Sequence, residues 1–424
     1  MGLFRNRVKV NKPLDGLSSM ILPTGVKDVI TFAGSFLGGS LFSLEGNQKI
    51  AAITALMLDK GTESKDKYTI SDILESTGSE LSFSSTRHHV QFTGHCLRVN
   101  IEVVIKLLAE QLRTPAFPRN ELSTLKTRLI GSLKQSKEDT KKQALIELLR
   151  NLYPKGHPNY RTTTDEEIDK ISSVRKKELK AFYHDVYGLG ELNFTAVGDV
   201  DQKQINTLLK KQFGGWKNQT IFLDLPKLCA NPAKGKEKNI HIPDKTSADV
   251  YLGQPIGIDR DHKDYYPLMM AIYILGGNFS ARLMHTVRDQ QGLTYGIGSS
   301  VAGASFGNDG YWSTWGTFSP DLLDKGKKAA LEQILKWYND GVTLQELEAK
   351  KTTITGSYQV SMDSTGGLTA KILSNAERGK TIEHLDQYPD IIRSLTLEQV
   401  NNAIRQYVDP EKLTVIAAGT LSKA

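Results

Sequence analysis

The chain has 424 residues, of which 39% are apolar and 24% charged, enough for two or three domains with cores that need no disulfide or metal to stay folded. That balance excludes a largely disordered chain and a polytopic membrane protein, and the longest apolar run, Tyr265 to Leu275, is broken by Pro267 and too short to span a bilayer. The formal net charge of +7 permits an anionic partner without requiring one, and two cysteines, Cys96 and Cys229, supply neither a disulfide framework nor a cysteine-based zinc site.

In chain order, an extended segment from Val29 to Leu41 precedes an almost wholly apolar helix, Ile50 to Leu58. A short helix from Thr69 leads to an alternating strand, Val90 to Leu97, in which Val90, Phe92, Gly94 and Cys96 share one face and Cys96 is expected to be buried as a small apolar group. The helix Asn100 to Leu112 stops at Pro115, and a long basic-polar helix is predicted over Glu121 to Leu152, with Leu125, Leu129 and Leu133 on one stripe. A helix carrying Leu179, Phe182 and Val186 runs into a strand that closes at Gly198. The stretch from Gly214 to Lys238 is polar, bears Pro and Gly, has no periodicity and reads as a linker. Beyond it, an apolar helix (Leu268 to Leu275) and a short helix (Ala281 to Asp289) lead into strands Thr294 to Ser300 and Gly310 to Thr317. Helix Asp321 to Asp340 stops at Gly341, and Thr343 with Glu346 three residues on forms a capping box for the next helix.

The segment Ile171 to Gly198 repeats as Ile392 to Gly419 at a constant offset of 221 residues, each copy a helix running into a short strand that ends on glycine. The chain is therefore a duplicated unit, divided into 1–222, a linker at 223–239 and 240–424. Helices interspersed among strands without regular βαβ alternation predict an α+β fold, each unit an antiparallel-dominated sheet covered by helices.

Chemistry is sparse. Gly34, Gly38 and Gly39 do not make a dinucleotide fingerprint, no nucleophile elbow is present, and no histidine sits in H-E-x-x-H or its inverse. His89 and His95 would stand roughly 20 Å apart on a strand, too far to share a metal, so His88, His89 and His95 are expected in solvated or edge-strand positions. No interleaving of aromatic and basic residues points to nucleic acid. No apolar stretch of signal-peptide length opens the chain, which predicts a cytoplasmic protein, or a periplasmic one if the sequence is a mature or trimmed form.

Two segments carry a resemblance. Met57-Leu58-Asp59-Lys60-Gly61-Thr62 resembles the end of the zinc-site helix of the pitrilysin or insulinase (M16) metallopeptidases, where H-x-x-E-H runs directly into M-L-F-K-G-T. Leu275-Gly276-Gly277-Asn278-Phe279-Ser280-Ala281-Arg282-Leu283, with Val287-Arg288-Asp289 and Gly292-Leu293-Thr294-Tyr295, is similar to the second-domain signature of the same family. Counting back from Met57, the resemblance puts the metal motif on Ala52, Ile53, Thr54, Ala55 and Leu56, so that the ligand histidines become Ala52 and Leu56 and the general-base glutamate becomes Ala55. The third ligand would fall near Gly131 or Ser132, and none of these side chains can bind zinc or take a proton.

The family's Arg/Tyr pair does find a match, because Arg288 and Tyr295 stand seven residues apart. The resemblance implies that they donate to a substrate carbonyl or to the oxyanion of a tetrahedral intermediate. Spacing alone would instead pair Arg288 with a local carboxylate and pack Tyr295 in the core. The implied protein is inactive alone: a non-catalytic subunit that binds no cofactor itself and mates, as a heterodimer or dimer of heterodimers, with an M16 chain carrying H-x-x-E-H and the zinc. The two would enclose a chamber for a peptide or unfolded polypeptide. The alternative is a purely structural or binding paralogue.

Overall fold

The computed structural model describes residues 3–43, 46–216, 229–230, 234–305 and 307–421. The first half runs α1 (Phe4–Arg7), β1 (Lys9–Leu14), β2 (Leu17–Pro23), β3 (Val29–Leu37), α2 (Lys49–Leu56), α3 (Lys67–Ser76), β4 (Glu80–Ser85), β5 (His89–Leu97), α4 (Ile101–Arg113), α5 (Arg119–Ser136), α6 (Thr140–Leu152), α7 (Thr164–Ser173), α8 (Lys176–Val186), β6 (Leu192–Gly198) and α9 (Gln202–Phe213). The second runs β7 (Glu237–His241), β8 (Ala248–Pro255), α10 (Tyr265–Gly276), β9 (Gly296–Ala302), β10 (Tyr311–Phe318), α11 (Leu323–Asp340), α12 (Leu344–Val360), α13 (Thr365–Glu377), α14 (Glu383–Arg393), α15 (Leu397–Tyr407) and β11 (Thr414–Gly419), with a π-helical turn, Met284–Gln290, before β9. Most of the expected linker, 223–239, lies outside the described residues, and by Glu237 the chain is already in β7.

These elements form an α+β fold of two compact units, each discontinuous in sequence. One takes Met1–Ile130, Ile168–Asp224 and Ser357–Asp390; the other takes Gly131–Glu167, Leu225–Gly356 and Ile391–Ala424. The first holds a six-stranded sheet, ordered β1-β2-β6-β3-β5-β4, in which only β2 and β6 are parallel. One face buries Phe32, Phe92 and Phe194 against apolar residues of α2, α4, α8 and α9. The other face, with Met20, Leu22 and Val197, is covered by Leu368 and Ile372 of α13. Covered on both faces, β6 is buried at six of its seven positions rather than at every second one.

The second unit holds a five-stranded sheet, β7-β11-β8-β10-β9, again with a single parallel pair, β7 with β11. Trp312 of β10 and Trp337 of α11 are both fully buried with ring centroids 5.8 Å apart, and the Trp312 indole donates to Ser299 Oγ at 2.8 Å. Ala144 and Leu148 of α6 pack with Tyr251, Ile416 and Ala418 of this sheet. The repeated helix–strand pair appears as α8–β6 and α15–β11, and in both copies the strand is parallel to one neighbour and antiparallel to the other. Its closing Gly198 has φ +131°, and a Cβ there would stand 2.1 Å from the Val29 carbonyl, so no other residue fits.

Two expectations need correction. The long helix over Glu121 to Leu152 is two helices, because Asp139 caps a new one by accepting from the Lys142 amide at 2.9 Å. His88 and His89 are neither solvated nor at an edge: both are buried, and β5 lies between β3 and β4. Alternation placed the apolar face of β5 correctly, Cys96 included, but could not show that the strand is flanked on both sides.

Candidate functional site

The helix at the expected metal motif forms as α2, and the residues at its ligand and base positions, Ala52, Leu56 and Ala55, have no ligand atoms to offer. Ala52 and Leu56, one turn apart, are half-buried on the same face. Ala55 is fully buried in the core with Ala51 and Leu58, so the position of the base is enclosed by apolar neighbours. Gly131 and Ser132 lie exposed on α5. Methyl and isobutyl groups cannot coordinate zinc, so these residues do not fit the family's metal. Among the described residues, no group of three or more His, Cys, Asp or Glu side chains is placed to hold a metal ion.

Arg288 and Tyr295 are brought together by local structure. Arg288 sits in the π-helical turn, a form common where a helix is distorted at a functional position. Gly292, at φ +63°, turns the chain out of it. Thr294 fixes the entry to β9 by accepting from the Gly296 amide at 3.1 Å and donating to the Gly296 carbonyl at 3.0 Å. Arg288 Nε then donates to the Tyr295 carbonyl at 3.0 Å, Nη1 donates to Asp289 Oδ1 at 3.0 Å, and the guanidinium carbon lies 5.8 Å from the Tyr295 ring centre. Of the two expectations from spacing alone, the geometry meets one. Arg288 does pair with a local carboxylate, whereas Tyr295 is 89% exposed and far from core. Arg288 Nη2 and the Tyr295 hydroxyl have no partner among the described residues, which leaves a cation and a phenol as donors side by side on the surface.

Sequence reasoning missed what holds the preceding loop. Lys350 of α12 is buried and donates to Asn278 Oδ1 (2.9 Å), the Ser280 carbonyl (2.9 Å) and Ser280 Oγ (2.7 Å), using all three of its protons. Burial lowers its pKa, and Glu346 one turn earlier opposes that shift. Glu346 receives Arg282 in a two-toothed contact of 2.5 and 2.6 Å together with the Thr343 amide at 2.8 Å. Burial alone would raise the Glu346 carboxyl, but the bonds from Arg282 and Thr343 outweigh it and hold the pKa below the ordinary value. Gly277 is required because a Cβ would meet the Tyr273 ring at 2.2 Å. The loop so held carries Phe279, 81% exposed, at its tip. The capping box at Thr343 was legible; the lysine four residues beyond Glu346 was the available signal for the rest.

Comparison with known proteins follows the same lines. Residues 31–165 match the family model "Insulinase (Peptidase family M16)", and residues 173–354 match "Peptidase M16 inactive domain". The non-peptidase homolog YmxG of Helicobacter pylori is 25% identical over 389 residues, covering 90% of this chain and 86% of that one. An uncharacterized zinc protease YmxG of Bacillus subtilis is 24% identical over 351 residues, covering 82% and 83%. The crystal structure of a peptidase M16 inactive domain from Pseudomonas fluorescens shares the fold with a TM-score of 0.87 at 22% identity, over 98% of both chains. With two consecutive M16 domain matches and two M16-type units in space, the chain belongs to the M16 peptidase family.

Proposed function

We propose that this chain is the non-catalytic subunit of a heteromeric M16-type peptidase. It would form half of the proteolytic chamber and bind peptide substrate through Arg288 and Tyr295, while zinc would be held by a sibling chain with an intact H-x-x-E-H motif. The observation that carries the reading is a contrast. The two ligand positions and the base position of the metal motif hold Ala52, Leu56 and Ala55, side chains without a donor atom, yet among the described residues Arg288 Nη2 and the Tyr295 hydroxyl stand together, exposed and without a protein partner. A guanidinium and a phenol suit a peptide carbonyl and the negative oxygen that develops when that carbonyl is attacked. An extended substrate could also add to a free sheet edge such as β4 or β9, where backbone groups need pairing.

A second reading, a structural or binding paralogue without a part in catalysis, is favoured by one observation: Arg288 is already engaged by Asp289 and the Tyr295 carbonyl. An exposed pair of this kind contributes about 1 kcal/mol or less and can be exchanged for a ligand. The two readings separate in an assay of a quenched peptide with the chain alone, with its sibling, and with chelator. No cleavage alone and chelator-sensitive cleavage together is expected. Arg288→Ala or Tyr295→Phe should lower turnover of the pair roughly a hundredfold without changing its assembly. Full activity with both substitutions would favour the scaffold, and cleavage by the isolated chain would end both readings.

A further inference from the structure

The surplus of positive charge concentrates in one place. Segments 119–130 and 172–180 together carry seven lysines and arginines against two carboxylates, Glu121 and Glu178. Both carboxylates are engaged elsewhere, Glu121 by Lys67 at 2.7 Å and Glu178 by the Arg175 amide at 2.8 Å.

One face of α5 and the end of α7 border an open groove of about 340 Å³. Arg119, Ser123, Lys126 and Thr127 line it along one stripe of α5, with Ser172 opposite and the apolar Leu122 and Ile130 at its floor and end. Lys126 ties the two walls together by donating to the carbonyls of Ser172 at 2.6 Å and Val174 at 2.9 Å. The Arg119 guanidinium and the hydroxyls of Ser123, Thr127 and Ser172 make no hydrogen bond among the described residues. Lys176, the first residue of α8, does not line the groove but lies close enough to Arg119 and Lys180 to feel their charges. Burial lowers its pKa, and the charges of Lys180 and Arg119 lower it further. None of Arg119, Lys176 and Lys180 has an ion-pair partner among the described residues, so three neighbouring cations are left uncompensated.

We propose that this groove is an anion site for an oligophosphate, free or as the phosphate chain of a nucleotide. A carboxylate has two oxygens, whereas a planar guanidinium, an ammonium and three hydroxyls present more donors than two oxygens can use and match the several oxygens of linked phosphates. Three uncompensated positive charges likewise suit a multiply charged anion. The site lies within one compact unit and does not depend on the proposed role of Arg288 and Tyr295.

Titration calorimetry of the full chain with tripolyphosphate, at constant ionic strength in chloride, should show one saturable site. Arg119→Gln combined with Lys176→Gln should weaken it by about tenfold or more, while Lys328→Gln on exposed α11 leaves it unchanged. Should the charge variant fail to fold, Ser123→Ala with Thr127→Ala should still weaken binding several-fold, roughly as expected for lost hydroxyl bonds. ATP in place of tripolyphosphate distinguishes the source: equal affinity means the phosphate chain alone is read, and tighter binding means a nucleotide is. Equal binding of sulfate, or undiminished binding in both variants, would overturn the proposal.

Discussion

His88 gives the chain an acid sensitivity whose size can be worked out. Its ring is buried, 4% exposed, beside His89 and Arg87, and its carbonyl accepts the amides of Gly38 at 3.0 Å and Gly39 at 2.9 Å. Burial first, then the charges of His89 and Arg87, push its pKa down from 6.5 to about 4. His89 is lowered in the same direction by burial, with Glu377 opposing. Between these two values the unfolded chain holds a proton that the folded chain refuses, so the His88 contribution is full above pH 6.5 and is lost as pH falls toward 4. A shift of that size corresponds to about 3 kcal/mol in all, with about 2 kcal/mol gone by pH 5. Urea unfolding of the whole chain, followed through the transition of the unit that contains β5 at about pH 7.5, 6 and 5, reads this directly. The lowered carboxylates, Glu110, Glu166 and Glu346, begin from 4.5 and leave the upper window to the histidines. His88→Gln should flatten the pH dependence by about one proton's worth even if it lowers stability at every pH. A midpoint that does not move between pH 7.5 and 5, or an equal slope in the variant, would refute the reasoning.

Other perturbations have equally definite outcomes. Ala55→Glu, a step toward rebuilding the metal motif, places a carboxylate in a fully buried apolar site and should cost about 3 kcal/mol or more by thermal unfolding. Arg282→Met leaves Glu346 partly buried without its cation and should destabilise by about 2–3 kcal/mol, the loss shrinking at acid pH as the Glu346 carboxyl takes up a proton. Trp337→Ala, at the fully buried contact with Trp312, should cost about 3–5 kcal/mol in chemical denaturation.

Local patterns carried much of this architecture. The apolar runs of α2 and α10, the alternation of β5 and the repeated helix–strand pair each declare themselves over a few turns of chain. The break between α5 and α6 was hidden because a single aspartate cap interrupts an otherwise helical composition. Burial of His88 and His89 depends on strand order, a non-local property that alternation does not encode. At the candidate site, the spacing of Arg288 and Tyr295 was readable, but their mutual contact needs the π-helical turn and the positive φ of Gly292. Lys350 was missed because a lysine on an amphipathic helix is ordinarily solvated, and its burial follows from a loop seventy residues earlier in the chain.

The sheet of the first unit is covered by a helix made more than 160 residues after its last strand, β6. Until residues 357–390 have left the ribosome, Met20, Leu22 and Val197 lack the side chains of Leu368 and Ile372 that shield them from water. Until then the nascent chain must carry an uncovered apolar sheet face, the kind of surface that chaperones hold and that drives aggregation when they do not. A fragment ending at residue 222 would keep that face exposed permanently, so expression as separate halves should yield insoluble material unless both halves are made together.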